Sequence, residues 1–204
     1  MNYMDIKNKL KNYDRSIIGA KNAMNAAILV PLVEVDGQLN LLFEVRSRNL
    51  NSQPGDISFP GGKIDQGDEG PLAAAIRETE EELGIPSENI DIITELDLFV
   101  SPYGLIIHNF LGKINDISKL SPNPDEVEDI LLVPVKFFLA TKPVEFDGFL
   151  SMNREEFPYH LIPQGRDYEF KSARSKTLFW QYEGRTIWGF TASIVSNLLE
   201  LLKM

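Results

Sequence analysis

Three glutamates, Glu78, Glu81 and Glu82, stand at positions i, i+3 and i+4 within FPGGKIDQGDEGPLAAAIRETEEELGI, residues 59–85. On a helix turning about 100° per residue, that spacing puts their carboxylates on one face. Left alone they repel, by roughly 0.2–0.5 kcal/mol for an i, i+4 pair. A hard divalent cation turns that cost into a binding site, because Mg²⁺ takes carboxylate oxygens and keeps several waters. The plainer reading of an acidic run is a solvated helix face, so the surroundings decide. Upstream, Gly61-Gly62 reads as a turn whose bare backbone lets amides approach phosphate oxygens. Arg46, Arg48 and Lys63 are the nearby cations that could meet such a phosphate.

The helix that carries the glutamates has clear ends. Pro71 suits the first turn, where its missing N–H costs nothing. Gly84 suits the position just past the end, and Pro86 follows. Leu72, Ile76, Thr79 and Leu83 share another face, expected to pack on a sheet. Ahead of this stretch, residues 3–13 read as a short helix. Asn25–Val35 and Leu41–Val45 read as a hairpin across Asp36-Gly37, and Ile57–Phe59 as a short strand. Beyond it, Ile90–Ser101 and Leu105–Lys113 read as strands joined at Pro102-Tyr103-Gly104. Residues 121–126 read as a loop, Asp129–Val135 as a strand and Lys136–Ala140 as a helical turn. Residues 143–183 are the least legible. Thr177–Tyr182 and Arg185–Trp188 suggest a hairpin across Glu183-Gly184. A helix from about Thr191 shows Ile194, Leu198, Leu201 and Leu202 as an apolar stripe. This order predicts an α/β fold, a mixed β-sheet with helices on both faces, in a single domain over residues 1–204.

Composition bounds the partners. The chain has 204 residues, 43% hydrophobic and 25% charged, and a net charge of −10, which reads as soluble and globular. That charge disfavours nucleic acid and anionic membranes as partners, so a phosphorylated substrate must be met by local cations or by metal. With no cysteine there is no disulfide framework, zinc-thiolate site or Cys nucleophile. The opening MNYMDIKNKLKNYDRS lacks the layout of a signal peptide, and no apolar run is long enough to span a bilayer. The expectation is a cytoplasmic protein. Its oligomeric state stays open, a homodimer among the options. No Gly-x-Ser-x-Gly elbow, P-loop or Gly-x-Gly-x-x-Gly is present.

Arg77-Glu78-x-x-Glu81-Glu82-x-Gly84-Ile85 resembles the second half of the Nudix hydrolase signature, G-x5-E-x7-R-E-U-x-E-E-x-G-U, where U is a bulky apolar residue. Thr79 stands at a position usually more apolar. Glu69 fits the upstream Glu. Lys63 occupies the place of the leading Gly, and Gly62 comes one residue early, so the loop is one residue longer than the general pattern. Leu41-Leu42, Arg46-Ser47 and Gly55-x-Ile57-Ser58-Phe59-Pro60-Gly61-Gly62 look like the segment ahead of this box in coenzyme A pyrophosphatases. Those proteins also carry the longer spacing, with acids placed like Asp65 and Asp68, and an IWGxTA segment similar to Ile187–Ala192. Asn51 departs from them, standing where they usually carry an arginine.

The resemblance implies an α/β/α sandwich, with Glu78, Glu81 and Glu82 holding Mg²⁺ or Mn²⁺. It implies hydrolysis of a pyrophosphate linkage in a small nucleoside diphosphate-linked substrate, coenzyme A or its thioesters, giving 3′,5′-ADP and a 4′-phosphopantetheine species. Such hydrolysis needs charge neutralisation, an oriented water and a proton acceptor. One box glutamate, or Glu126 or Glu128 from a later loop, takes that proton. Arg77 is expected to pair with an acid such as Glu69 and brace the loop. Arg46 and Arg48, then Lys63, are best placed for the 3′-phosphate, and Gly61 and Gly62 for phosphate oxygens. ADP-ribose or a nucleoside triphosphate is the alternative substrate, and a non-catalytic ligand-sensing Nudix module the alternative class. A Nudix isomerase is disfavoured by the absent cysteine. His108 reads as structural, His160 carries no assignment, and Trp180, Trp188 and Phe190 read as core or pocket wall.

Overall fold

In the computed structural model, which describes residues 1–14 and 16–204, a long strand is the hub of the main sheet. That strand, β1 (Met24–Val35), turns through Asp36 and Gly37, both at positive φ, into β2 (Gln38–Arg46). The turn is the tight kind that Asp-Gly favours, and it closes an antiparallel ladder from Leu32↔Leu41 to Val35↔Gln38. The N-terminal half of the same edge of β1 takes β4 (Gly61–Lys63), with Ile28 opposite Gly61 and Ala27 opposite Gly62. Gly61-Gly62 is therefore strand and not the turn the sequence suggests. Its pairing partner lies more than thirty residues upstream, beyond the reach of local turn signals.

The other edge of β1 runs parallel to β7 (Leu105–Ile114), from Met24↔Leu105 to Leu32↔Lys113. β7 pairs in turn with β5 (Ile90–Glu95) and β6 (Phe99–Ser101), so the expected strand over 90–101 is two. β2 pairs with β3 (Ile57–Ser58) and with β8 (Val127–Pro134). The sheet is mixed, as expected. A second sheet holds β9 (Val144–Leu150), β10 (Ala173–Tyr182) and β11 (Arg185–Trp188) in the order β11-β10-β9. The expected hairpin across Glu183-Gly184 is present, and β10 starts four residues before the span read from sequence.

Alternation along the strands separates two cores. Leu29, Val33, Leu42 and Phe110 face helix α2 (Pro71–Leu83). Val30, Leu41, Phe43 and Val133 face the other way, toward Trp180 of β10 and helix α4 (Gly189–Leu201). Helices thus cover both faces in an α/β/α arrangement. Of the stripe the sequence suggests on α4, Ile194 and Leu198 are buried, Leu201 is half-buried and Leu202, just past the helix, is exposed; Ala192, Val195 and Leu199 complete the buried face. Helix α1 (Tyr3–Leu10) forms behind a capping box between Asn2 and Asp5 and buries none of its residues. Helix α3 (Val135–Ala140) is the expected helical turn and lodges Phe138 edge-on against Trp180. No helix among the described residues is long and apolar enough to cross a membrane.

Candidate active site

Helix α2 sits on β1 and β4 by a face of small residues. Ala74, Ala75, Thr79 and Leu83 are buried, whereas Leu72 is exposed and Ile76 only half-buried. Alanines allow close approach to the strands, so the packing face is displaced from the one that bulky residues mark. Thr79 hides its hydroxyl by donating to the Ala75 carbonyl at 2.7 Å, which explains a polar residue at a buried position. Pro71 opens the helix, and Gly84 closes it at φ +64°. A Cβ at Gly84 would strike the Ser121 carbonyl. Beside it, the amides of Ser121 and Asn123 donate to the Leu83 and Glu82 carbonyls, each at 2.9 Å. The 121–126 loop is thereby tied to the end of the helix.

That displaced packing face sends the three glutamates to different environments. Glu82 is buried, and its Oε2 accepts the Gly61 amide at 2.8 Å. Glu78 is mostly buried over Gly62, where a Cβ would come within 2.5 Å of its Cδ. Glu81 is the exposed member, 3.2 Å from Arg77. Arg77 is the organiser. It donates to Asp68 at 2.9 and 3.1 Å, to Glu78 at 2.9 Å, and to the Lys63 carbonyl at 3.2 Å. It braces the loop as expected, but through Asp68. Glu69 is exposed and makes no ion pair among the described residues. Asp68 also accepts the Asp65 amide at 2.8 Å, which turns it inward. Its hydrogen bonds, from Arg77 first, hold its carboxyl below the usual range.

A fourth carboxylate completes the group. Glu44 of β2 is 1% exposed and accepts the Ser58 hydroxyl at 2.9 Å through Oε1. Its Oε2 is buried without a hydrogen-bond donor among the described residues. Burial pushes Glu44 up to about 7, against the pull of Ser58 and Arg46. Burial, and then the charge of Glu44, push Glu82 up to about 9. Burial also raises Glu78, with Arg77 opposing. Glu126, half-buried, adds negative charge to all three. Its carbonyl accepts the Ser47 amide at 2.8 Å, which fixes it beside the end of β2. Among the described residues no three acids or histidines converge at metal-ligand spacing, since Arg77 holds Glu78 and Glu81 while Gly61 holds Glu82.

None of these acids lines the cleft of about 840 Å³ between the main sheet and the small sheet with α4, but Gly61 and Ser58, which bond Glu82 and Glu44, do. Gly61, Arg46, Phe99, Phe190 and Trp188 are on its lining. Arg46 lies 3.8 Å from Glu44, and its buried Nε has no partner. Arg48 is not on this lining. It is exposed, pairs with Glu128 at 3.2 Å, and lines a neighbouring cavity of about 580 Å³ that shares Asp56, Ile57 and Trp188 with the cleft. Lys63 is exposed and also off the lining; it pairs with Ala26 in the β1–β4 ladder, and its carbonyl accepts from Arg77. Of the later glutamates, Glu126 therefore joins the acids and Glu128 does not. His108 lies 3.5 Å from Glu95 and His160 is exposed; neither lines either of these two cavities. Trp180 is core, whereas Trp188 and Phe190 are pocket wall. Glu44 escaped the sequence reading. Its one signal is an acid between Phe43 and Val45 in an otherwise apolar strand.

The NUDIX domain model matches residues 23–149, and the chain belongs to the Nudix family. It is 35% identical over 136 residues to the mouse (Mus musculus) peroxisomal coenzyme A diphosphatase NUDT7, a match covering 67% of this chain and 57% of that protein. It is 29% identical over 181 residues to the human (Homo sapiens) mitochondrial coenzyme A diphosphatase NUDT8, covering 87% of this chain and 69% of that one. An uncharacterized Nudix hydrolase, NudL, of Photorhabdus laumondii is 28% identical over 90% of this chain and 87% of its own. Among solved structures, a MutT/nudix family protein from Enterococcus faecalis superposes on the whole chain and 70% of its own length with a TM-score of 0.52 at 14% identity, a likeness of fold.

Proposed function

We propose that the chain is a metal-dependent pyrophosphohydrolase of coenzyme A or its thioesters, releasing 3′,5′-ADP and a 4′-phosphopantetheine species. The observation that carries the chemistry is the crowd of acids, Glu44, Glu78, Glu82 and Glu126, gathered beside a glycine strand at the edge of a nucleotide-sized cleft. The substrate rests on the two coenzyme A diphosphatase relatives. The core shared by the main sheet, β10 and α4 supports treating residues 1–204 as one domain. The cysteine-free composition suits a reducing compartment such as the cytoplasm.

The residues fit a hard divalent cation. All donors are carboxylate oxygens, the charge of Glu44 raises the proton affinity of Glu82, and among the described residues the buried Glu44 Oε2 is without a donor. Glu78, Glu81 and Glu82 would hold Mg²⁺ or Mn²⁺, with Glu44 behind them. When bound, the ion neutralises phosphate charge and acidifies water. The chain's own residues do the rest. The Gly61 amide orients Glu82, and Arg77 fixes the Asp68 loop and Glu78. Arg46, on the cleft lining, is the cation placed to meet a pyrophosphate oxygen. Glu126 takes the proton from the attacking water. A substrate panel with Mg²⁺ and Mn²⁺, read by mass spectrometry of products, should give 3′,5′-ADP from coenzyme A. Glu82→Gln should lower kcat by about a hundredfold or more. ADP-ribose or a nucleoside triphosphate cleaved as fast as coenzyme A would overturn the substrate, and wild-type turnover in Glu82→Gln would overturn the site.

A further inference from the structure

Three charged side chains line the cleft among the described residues: Arg46, Asp56 and Lys176. Arg46 is committed to the acidic end, 3.8 Å from Glu44 and donating to the Ser52 carbonyl at 3.4 Å. Lys176 belongs to the other wall. It projects from β10 of the small sheet, whereas Ala26, Ile28 and Ile107 of the main sheet form the facing wall. Its ammonium pairs with Glu145 of the edge strand β9, and both side chains are about half exposed, at 53% and 54%. An exposed pair of this kind contributes little. A phosphomonoester brings nearly two charges and three acceptor oxygens, more than one carboxylate offers. Phe99 and Phe190, with ring centroids 4.9 Å apart, supply an apolar face for a base on the same lining.

We propose that Lys176 anchors a phosphomonoester that the substrate carries outside its pyrophosphate, and that Glu145 is the counter-ion it exchanges on binding. The inference rests on the pyrophosphohydrolase reading, and in coenzyme A the group is the 3′-phosphate. Arg48, one of the residues the sequence suggests for that phosphate, opens on the neighbouring cavity instead.

Calorimetry with 3′,5′-ADP and 5′-AMP tests the subsite without requiring turnover. The wild type should bind 3′,5′-ADP about tenfold more tightly than 5′-AMP. Lys176→Ala should erase that ratio, Lys176→Arg should keep it, and Glu145→Gln should enlarge it, with 5′-AMP affinity unchanged throughout. In turnover, Lys176→Ala should raise KM for coenzyme A at constant kcat and leave 3′-dephospho-coenzyme A unaffected. Equal wild-type affinity for the two nucleotides, or a ratio that survives Lys176→Ala, would overturn the proposal. A Lys176-dependent ratio in a protein that does not cleave coenzyme A would support the subsite and sink the activity.

Discussion

Gly61 and Gly62 are neighbours in β4, yet replacing each by alanine should fail in different ways. At Gly61, φ is +143°, and a Cβ would stand 2.6 Å from the Ile28 Cα and closer still to the Ala27 carbonyl oxygen. Those atoms are the backbone of β1 and cannot swing aside. The conformation costs an L-residue about 1–3 kcal/mol, and forcing two strands apart costs about as much again. The same shift would loosen the Gly61 amide's bond to the buried Glu82, a loss of about 1–3 kcal/mol. These effects overlap, so about 3–5 kcal/mol is the expected total. At about 2–4 °C per kcal/mol for a chain of this size, Gly61→Ala should melt roughly 6–20 °C early. At Gly62 the obstacle is the Glu78 carboxylate, 2.5 Å from the added Cβ. A side-chain end can rotate, so Gly62→Ala should melt within about 3 °C of wild type and lose activity through the displaced Glu78. Thermal denaturation followed by circular dichroism, with turnover measured in parallel, separates the two. A Gly61→Ala melt within about 2 °C of wild type would refute the close approach of β4 to β1.

Further outcomes follow from the acids and from Arg77. Glu44 and Glu82 have folded-state pKa values raised above the 4.5 of an unfolded chain, so their share of stability is intact below about pH 4.5 and is lost progressively until the pH has risen past about 7 for Glu44 and about 9 for Glu82. The metal-free melting temperature should therefore fall between about pH 4.5 and pH 9, most steeply below about pH 7 where both groups contribute, and Glu44→Gln should flatten that lower part; a flat wild-type profile would contradict the burial. Millimolar Mg²⁺ or Mn²⁺ should raise the melting temperature relative to chelator at matched ionic strength, and Glu82→Gln should shrink that rise; superimposable wild-type curves would count against the site. Arg77→Lys cannot reach Asp68, Glu78 and the Lys63 carbonyl together, so hydrogen exchange should quicken in residues 64–70 while α2 stays protected. Unchanged exchange there would show that the loop holds itself.

What the sequence made legible was local. Pro71, Gly84 and the i, i+3, i+4 glutamates define α2 and its acidic face within one short stretch, and Asp36-Gly37 defines the first hairpin. What it concealed depends on distant partners. Gly61-Gly62 becomes strand because β1 lies beside it. The packing face of α2 is set by Ala74 and Ala75, whose small size matters only once a strand is close, and a reading weighted to bulky residues selects Leu72 instead. The choice of Asp68 over Glu69 by Arg77 depends on how the loop folds back through the Asp65 amide. Glu44 acquires its meaning from Glu82, which follows it by 38 positions. The strand β9 escaped notice because Phe146 and Phe149 are both exposed, leaving no simple in-and-out alternation.

The pairing of β1 sets a timetable for assembly. Its parallel ladder joins Met24 to Leu105, and β2 joins Asn40 to Pro134 through β8. Closing loops of roughly eighty to ninety residues is slow, and it precedes any reward from the contacts. During synthesis the β1–β2 hairpin emerges early and then waits for both outer neighbours. Until β7 and β8 arrive, one edge of each strand is bare and Leu29 and Phe43 have no complete core to enter. Nascent chains that stop short of residue 134 should therefore be the aggregation-prone and chaperone-dependent species, while the finished chain is not.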